Sequence, residues 1–350
     1  MSLTSPHGKW KVALLGLAFA LGATTPSWGL KMNSKGSGKG GREAPINVTA
    51  ERMEVDHVSH RILFSGNVVA VRGSMTIRSE FLEVVKTGSG KGADEVSKII
   101  ARDNVRFEDG MKRATGDEAI YLAQEGIVVL TGSVRAWDEE SVVTGHQMTL
   151  YTDEDKSVVT GSNYQRVEVT LKPRDDERRL LHAPGKNNGI ASRGRESPIY
   201  VTADRMEADH SQKTVFFEGR VVTRQADFRM DSDELEVFDS GQDDRQISKI
   251  VARGSVRLDR AGKIATGDKA VYYERERKIL LSGNAKAWED QNVVTGSRME
   301  IYLDEDKSVV LGDGTEQVEV TIYPQDSEVS KQPLPLPTLT DGSAKAPYRP

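Results

Sequence analysis

The 350-residue sequence contains no cysteine. Disulfides, thiolate zinc sites, a cysteine nucleophile and a lipid anchor on cysteine are therefore excluded. Histidine is scarce, with 6 in the chain, and no Ser/His/Asp set, nucleophile elbow or paired carboxylates in an apolar segment stand out. Gly36 to Gly41 is glycine-rich, but with no strand before it and no helix after it, it is not a phosphate cradle. Positive charge is not in excess either. The net charge is −5, with Lys and Arg spread among Asp and Glu, so there is no basic stripe to neutralise nucleic-acid phosphates. After Leu30 no segment keeps a helical period, which argues against an α/β enzyme scaffold. These absences point to a protein that binds or builds and makes no chemical change.

At the start, Lys9 and Lys11 precede the apolar run Val12 to Ala23, and the small residues Ser27 and Gly29 follow. This is the pattern of a secretory signal peptide over residues 1–29. The run is shorter than the roughly 20 apolar residues of a membrane span, with an uncleaved anchor as the alternative. Residues 30–44, rich in Gly, Lys and Ser, read as a flexible leader.

The dominant feature is a duplication. Ala114-Thr115-Gly116-Asp117 through Val169 returns as Ala265-Thr266-Gly267-Asp268 through Val320, and Pro45-Ile46-Asn47-Val48-Thr49-Ala50 returns as Pro198-Ile199-Tyr200-Val201-Thr202-Ala203. One unit thus covers residues 45–173 and a second 198–324, each of domain size. The register slips once, between Lys86 and Glu95, where the first copy holds a longer polar insert. Residues 174–197 read as a charged linker with a short helical turn near Asp175 to Leu181. The proline-containing residues 325–350 read as a disordered tail.

Within each copy apolar residues recur every second position, as in Met75/Ile77, Leu82/Val84, Val105/Phe107, Val128/Leu130 and Met148/Leu150. Period two predicts strands with one dry and one wet face. The parity changes between Ile77 and Leu82, and again between Met230 and Leu235, which predicts a bulge or corner. Gly66-Asn67, Gly116-Asp117, Gly132-Ser133, Gly145-His146 and Gly161-Ser162, with counterparts from Gly219-Arg220 to Gly312-Asp313, are expected to be tight reversals between short strands. The fold class expected is an all-β sandwich, barrel or jelly roll.

Ile46-Asn47-Val48, Phe64-Ser65-Gly66-Asn67-Val68 and Val128-Val129-Leu130-Thr131-Gly132 resemble the OstA-type domain of the LptA family of periplasmic lipopolysaccharide-transport proteins. The second copy is similar through Ile199-Tyr200-Val201, Phe217-Glu218-Gly219-Arg220-Val221, where Arg replaces the family's Asn, and Ile279-Leu280-Leu281-Ser282-Gly283-Asn284. Val142-Val143-Thr144-Gly145 and Met148 to Lys156, with Val293-Val294-Thr295-Gly296 and Met299 to Lys307, resemble its final hairpin. The resemblance covers nearly all of both units, and the tandem departs from the usual single domain per chain.

This resemblance implies two tandem, incompletely closed β-jelly rolls of the OstA/LptA type. It implies a periplasmic transport protein that conveys lipopolysaccharide from the inner to the outer membrane through an apolar groove and contributes to outer-membrane assembly. The partners implied are lipopolysaccharide, gripped by its lipid A acyl chains, and LptC-like inner-membrane and LptD-like outer-membrane proteins, with head-to-tail self-association besides. Groove candidates at the lipid-facing mouth are Ile46, Val48, Ile199 and Val201. Phe64, Val68, Phe107, Leu130, Phe217, Val221, Leu258 and Leu281 are groove or core, which spacing alone does not decide.

His57 and His60 suggest a metal only weakly, because His57 alone has a counterpart, His210. Asp153-Glu154-Asp155 lacks the Gly and distal Glu of a calcium loop. No metal or cofactor is expected. Two rivals remain open: an envelope protein that forms edge-paired β filaments without lipid, and a carbohydrate-binding β protein, which needs exposed aromatics and paired acids in a cleft.

Overall fold

The computed structural model describes residues 46–87, 96–139, 141–172, 197–239, 247–303, 305, 307–314 and 317–323. The signal peptide, leader and tail read from the sequence, all of the linker but Ser197, and most of the polar insert lie outside these residues.

The first repeat contributes β1 (Asn47–Thr49), β2 (Arg52–Asp56), β3 (Arg61–Arg72), β4 (Met75–Lys86), β5 (Val96–Asp109), β6 (Lys112–Leu122), β7 (Ile127–Trp137), β8 (Ser141–Tyr151), β9 (Lys156–Thr160) and β10 (Val167–Leu171). The second contributes β11 (Ile199–Ala203), β12 (Arg205–Asp209), β13 (Thr214–Gln225), β14 (Phe228–Asp239), β15 (Ile247–Arg260), β16 (Lys263–Tyr273), β17 (Lys278–Glu289), β18 (Asn292–Tyr302), β19 (Lys307–Leu311) and β20 (Glu319–Thr321). All belong to one antiparallel sheet of 20 strands. In each repeat the six long strands form a meander. The two short strands at its start both lie on the first long strand, and the two at its end both lie on the last.

Each long strand changes register near its middle. The pairing jumps between Ser65 and Val68, Arg78 and Phe81, Arg102 and Val105, Thr115 and Glu118, and Thr131 and Val134. The second repeat jumps at the corresponding places, from Glu218/Val221 to Ser282/Ala285. A bulge bends its strand and raises the local twist, so bulges aligned across neighbouring strands crease the sheet and fold it into two layers. The parity change between Ile77 and Leu82 is this crease. The fold is all-β, with the duplicated, incompletely closed roll expected from the sequence.

One expectation was wrong. Gly66-Asn67, Gly116-Asp117, Gly132-Ser133 and Gly145-His146 do not reverse the chain; they lie inside β3, β6, β7 and β8, and Gly219, Gly267, Gly283 and Gly296 lie inside β13, β16, β17 and β18. A positive φ serves a bulge as well as a turn. Gly132 has φ of 101°, and a Cβ there would lie 2.1 Å from Asp117 Oδ2. The reversals fall elsewhere, for instance at Gly73-Ser74 and Gly110-Met111.

The core is continuous through both repeats. Val68, Leu82, Val134, Met148, Val159, Val169, Met206, Val221, Val256 and Leu281 are all at most 2% exposed, and one contiguous apolar cluster joins them.

Candidate functional site

The two layers of the first repeat do not close completely on each other. Between them lies a cavity of about 110 Å³, lined by Met75, Ile77, Val105, Phe107 and Ala114 from one side of the crease. From the other side come Leu82, Ile99, Ala101, Ala119, Tyr121, Val128, Leu130, Met148 and Leu150. The room comes from Ala101, Ala114 and Ala119, small residues at inward positions of β5 and β6. An apolar cavity of this order, ~150 Å³ in the best-known case, stays dry and accepts a ring-sized apolar guest.

The one polar side-chain group of the lining is the Tyr121 hydroxyl. Burial pushes its phenol up, Asp153 adds to this and Arg72 opposes it, so it stays a neutral hydroxyl at ordinary pH. Nothing here supplies a nucleophile or a general base. Among the described residues no group of three or more His, Asp or Glu is placed to hold a metal ion.

Of the groove candidates, the cavity brings together Phe107 and Leu130. Val68, Phe217, Val221, Leu258 and Leu281 are buried, and Ile46 and Phe64 are half-buried. Val48 and Ile199 are half-buried against the core. Val201 sits in the sheet between β10 and β13, opposite Val169 and Thr223. Sequence reasoning did not single out Ile99, Ala101, Ala119 or Tyr121 as lining. The available signal was the inward parity of β5 and β6 combined with small side chains.

A second site is the joint between the repeats. β10 pairs with β11, from Val167 opposite Ala203 to Leu171 opposite Ile199. β9 pairs with β12, from Thr160 opposite Arg205 to Lys156 opposite Asp209. Val159, Val169, Met206 and Ala208 are buried there, and Lys156 Nζ donates to Glu207 Oε1 at 2.6 Å. Burial works against the charge on Glu207, but hydrogen bonds from Lys156 and Arg205 prevail and hold its carboxyl below the usual range.

Arg166, just before β10, reaches over the joint. Its Nε donates to Asp204 Oδ1 at 3.3 Å, its Nη1 to Thr202 Oγ1 at 3.3 Å and its Nη2 to the Gly219 carbonyl at 3.1 Å. Nη2 also donates to the Arg220 carbonyl. Asp204 is held below the usual carboxylate range, first by the hydrogen bond from Arg220, with burial opposing. Gly219, at φ +82°, is where the backbone must leave space: a Cβ would lie 2.5 Å from Asp204 Oδ2.

His210 closes the same joint. Its backbone N–H donates to the Asp155 carbonyl at 3.0 Å, and its buried Nε2 has no hydrogen-bond partner among the described residues. Burial lowers its pKa below the ordinary 6.5, against the opposing charge of Asp155. Because the folded value is the lower one, the neutral ring's contribution is intact above pH ~6.5 and is lost as the pH falls towards the folded value. Urea midpoints are therefore expected to fall between pH 7.5 and 5.5, and His210→Gln is expected to flatten that slope. The paired carboxylates Asp204 and Glu207, both held below the usual range, lose their contribution only at more acid pH.

Among the described residues, the corresponding surfaces at the start of the first repeat and the end of the second pair with no further strand. At the start of the first repeat Met53 is 57% exposed where its counterpart Met206 is 2% exposed, and Val55 is exposed where Ala208 is buried. At the end of the second, Val318, Val320, Ile322 and Tyr323 are exposed.

Comparison with known proteins agrees with this architecture. The family described as LptA/(LptD N-terminal domain) LPS transport protein matches residues 47–156 and again 200–307, more than half of the chain. An uncharacterized protein of Rhizobium meliloti strain 1021 is 25% identical over 136 residues, 37% of this chain and 73% of that protein. The lipopolysaccharide export system protein LptA of Escherichia coli K12 is 23% identical over 137 residues, 38% of this chain and 74% of its own. A crystal structure of LptH, the LptA-homologous periplasmic component of the lipopolysaccharide transport device of Pseudomonas aeruginosa, aligns with a TM-score of 0.33 at 17% identity. It covers 37% of this chain and 96% of that one. On the strength of the two family matches, the chain belongs to the LptA/(LptD N-terminal domain) family of lipopolysaccharide transport proteins and carries the family's unit twice.

Proposed function

We propose that the protein is exported to the periplasm by residues 1–29, binds lipopolysaccharide by its acyl chains between the layers of its rolls, and conveys it from the inner to the outer membrane. The observation that carries this reading is the apolar, incompletely filled space between the layers of the first repeat. Each acyl CH₂ taken from water into such a space gains about 0.8 kcal/mol, so a multi-chain lipid crosses an aqueous compartment only if it is sheltered throughout. No bond is made or broken. In this reading the exposed strands at the two ends pair with the edges of neighbouring rolls, from an LptC-like protein on one side and an LptD-like protein on the other, or from a second copy. Edge addition of this kind supplies main-chain hydrogen bonds and pockets for alternate side chains.

Filling the space separates cargo binding from folding. Ala119→Leu places three extra carbons in the cavity and is expected to lower lipopolysaccharide retained on purification, on the order of tenfold, with the melting temperature unchanged or raised. Retention equal to the parent protein would overturn the groove. A second reading, an envelope filament of edge-paired rolls with no cargo, draws on the same continuous sheet. It expects the parent protein to carry no lipopolysaccharide and to bind none saturably.

A further inference from the structure

The two free ends are not the two halves of the internal joint. Every element that receives Arg166 has a counterpart at the start of the chain: Thr49 for Thr202, Glu51 for Asp204, and the Gly66-Asn67 carbonyls for those of Gly219-Arg220. The backbone is the same, with φ of 80° at Gly66 and 44° at Asn67 against 82° at Gly219 and 48° at Arg220. Glu51 is held over the bulge much as Asp204 is. Its N–H donates to the Gly66 carbonyl at 3.1 Å, and its Oε1 accepts from Asn67 Nδ2 at 2.6 Å. The acceptors are thus assembled at an exposed edge. The described end of the second repeat does not place an arginine there, because the residue before Val318, in the place of Arg166, is Gln317, exposed and uncharged.

We propose that the edge formed by β1 and β2 is an arginine-reading docking surface, and that its preferred partner is a different β-roll protein. That partner presents an outer edge strand preceded by an arginine, whereas a second copy of this chain does not. The inference rests on the end-to-end pairing read above and adds the chemistry that selects the partner. A guanidinium matches this set because it has five donors in a fixed fork and keeps its charge. Gln317 has two donors and no charge, so a copy-to-copy joint keeps the ladder and the apolar contacts but leaves the Glu51 carboxylate without a cation from across the joint. The ion pair and the central apolar contact of the joint have counterparts between copies. Lys307 stands in the place of Lys156 and Glu54 in that of Glu207, with Met53 and Val310 in those of Met206 and Val159. The arginine is the element that discriminates.

The test gives the chain the missing donor. Gln317→Arg in the full-length protein is expected to tighten self-association, read by sedimentation, on the order of tenfold or more at low salt. Adding Glu51→Ala is expected to remove that gain, and Gln317→Lys to recover only part of it. A Gln317→Arg protein that associates no better than the parent overturns the proposal, as does a gain that survives Glu51→Ala. A second measurement separates this from failure of end pairing itself. The chain has no native cysteine, so Met53→Cys with Val310→Cys reports intermolecular register by disulfide formation. Crosslinks that form equally with and without Gln317→Arg leave end pairing standing and overturn the arginine selection. No crosslink in either protein overturns both.

Discussion

Met206→Asp is expected to cost about 3–5 kcal/mol of stability, while Met53→Asp, the same substitution at the same position of the other repeat, is expected to cost less than about 0.5 kcal/mol. Met206 lies on β12 opposite Val159 of β9 and is 2% exposed; Met53 lies on β2 and is 57% exposed. A carboxylate at the first position is taken out of water opposite Val159 and Phe217, while Lys156 and Arg205 are engaged with Glu207. At the second position it stays in water. Urea denaturation of the two variants measures the contrast, and limited proteolysis between residues 173 and 196 reports whether the joint has opened. Equal costs would mean that β9 and β12 are not paired in solution.

Leu281→Ala is expected to cost more than Leu130→Ala, about 4 kcal/mol against about 2–3 kcal/mol. The two leucines occupy equivalent positions on β17 and β7. Leu281 is fully buried, whereas Leu130 lines the cavity and is 8% exposed. A side chain with empty space on one flank has fewer packing contacts to lose, and removing it enlarges a void that already exists. Calorimetric or chemical denaturation of both variants decides the order. The reverse order would mean that the first repeat closes in solution.

The strands were legible because period two survives in both copies, and the parity change from Ile77 to Leu82 marks a bulge or corner in the sequence itself. The glycines at the other creases were not legible. At Gly66-Asn67 and Gly132-Ser133 the sequence signature of a bulge is that of a reversal, and only the length of the flanking ladder separates them. The twelve residues of β3 and eleven of β7 run straight through these sites. The cavity was half legible. Phe107 and Leu130 were named, but the space depends on Ala101, Ala114 and Ala119 meeting across the fold, which no spacing along one strand encodes. The joint between the repeats was not legible. Met53 and Met206 have the same local pattern, and what buries one of them is a strand nearly fifty residues earlier in the chain.

The joint also has a polarity. β9 and β10 of the first repeat meet β11 and β12 of the second, so the contact uses two different surfaces and is not a patch meeting itself. A contact of that type repeats without a two-fold axis, giving a ring where the rotation closes and an open filament where it does not. An assembly extended through the remaining ends is polar, with every unit facing the same way, and a molecule moving along it meets each unit from the same side.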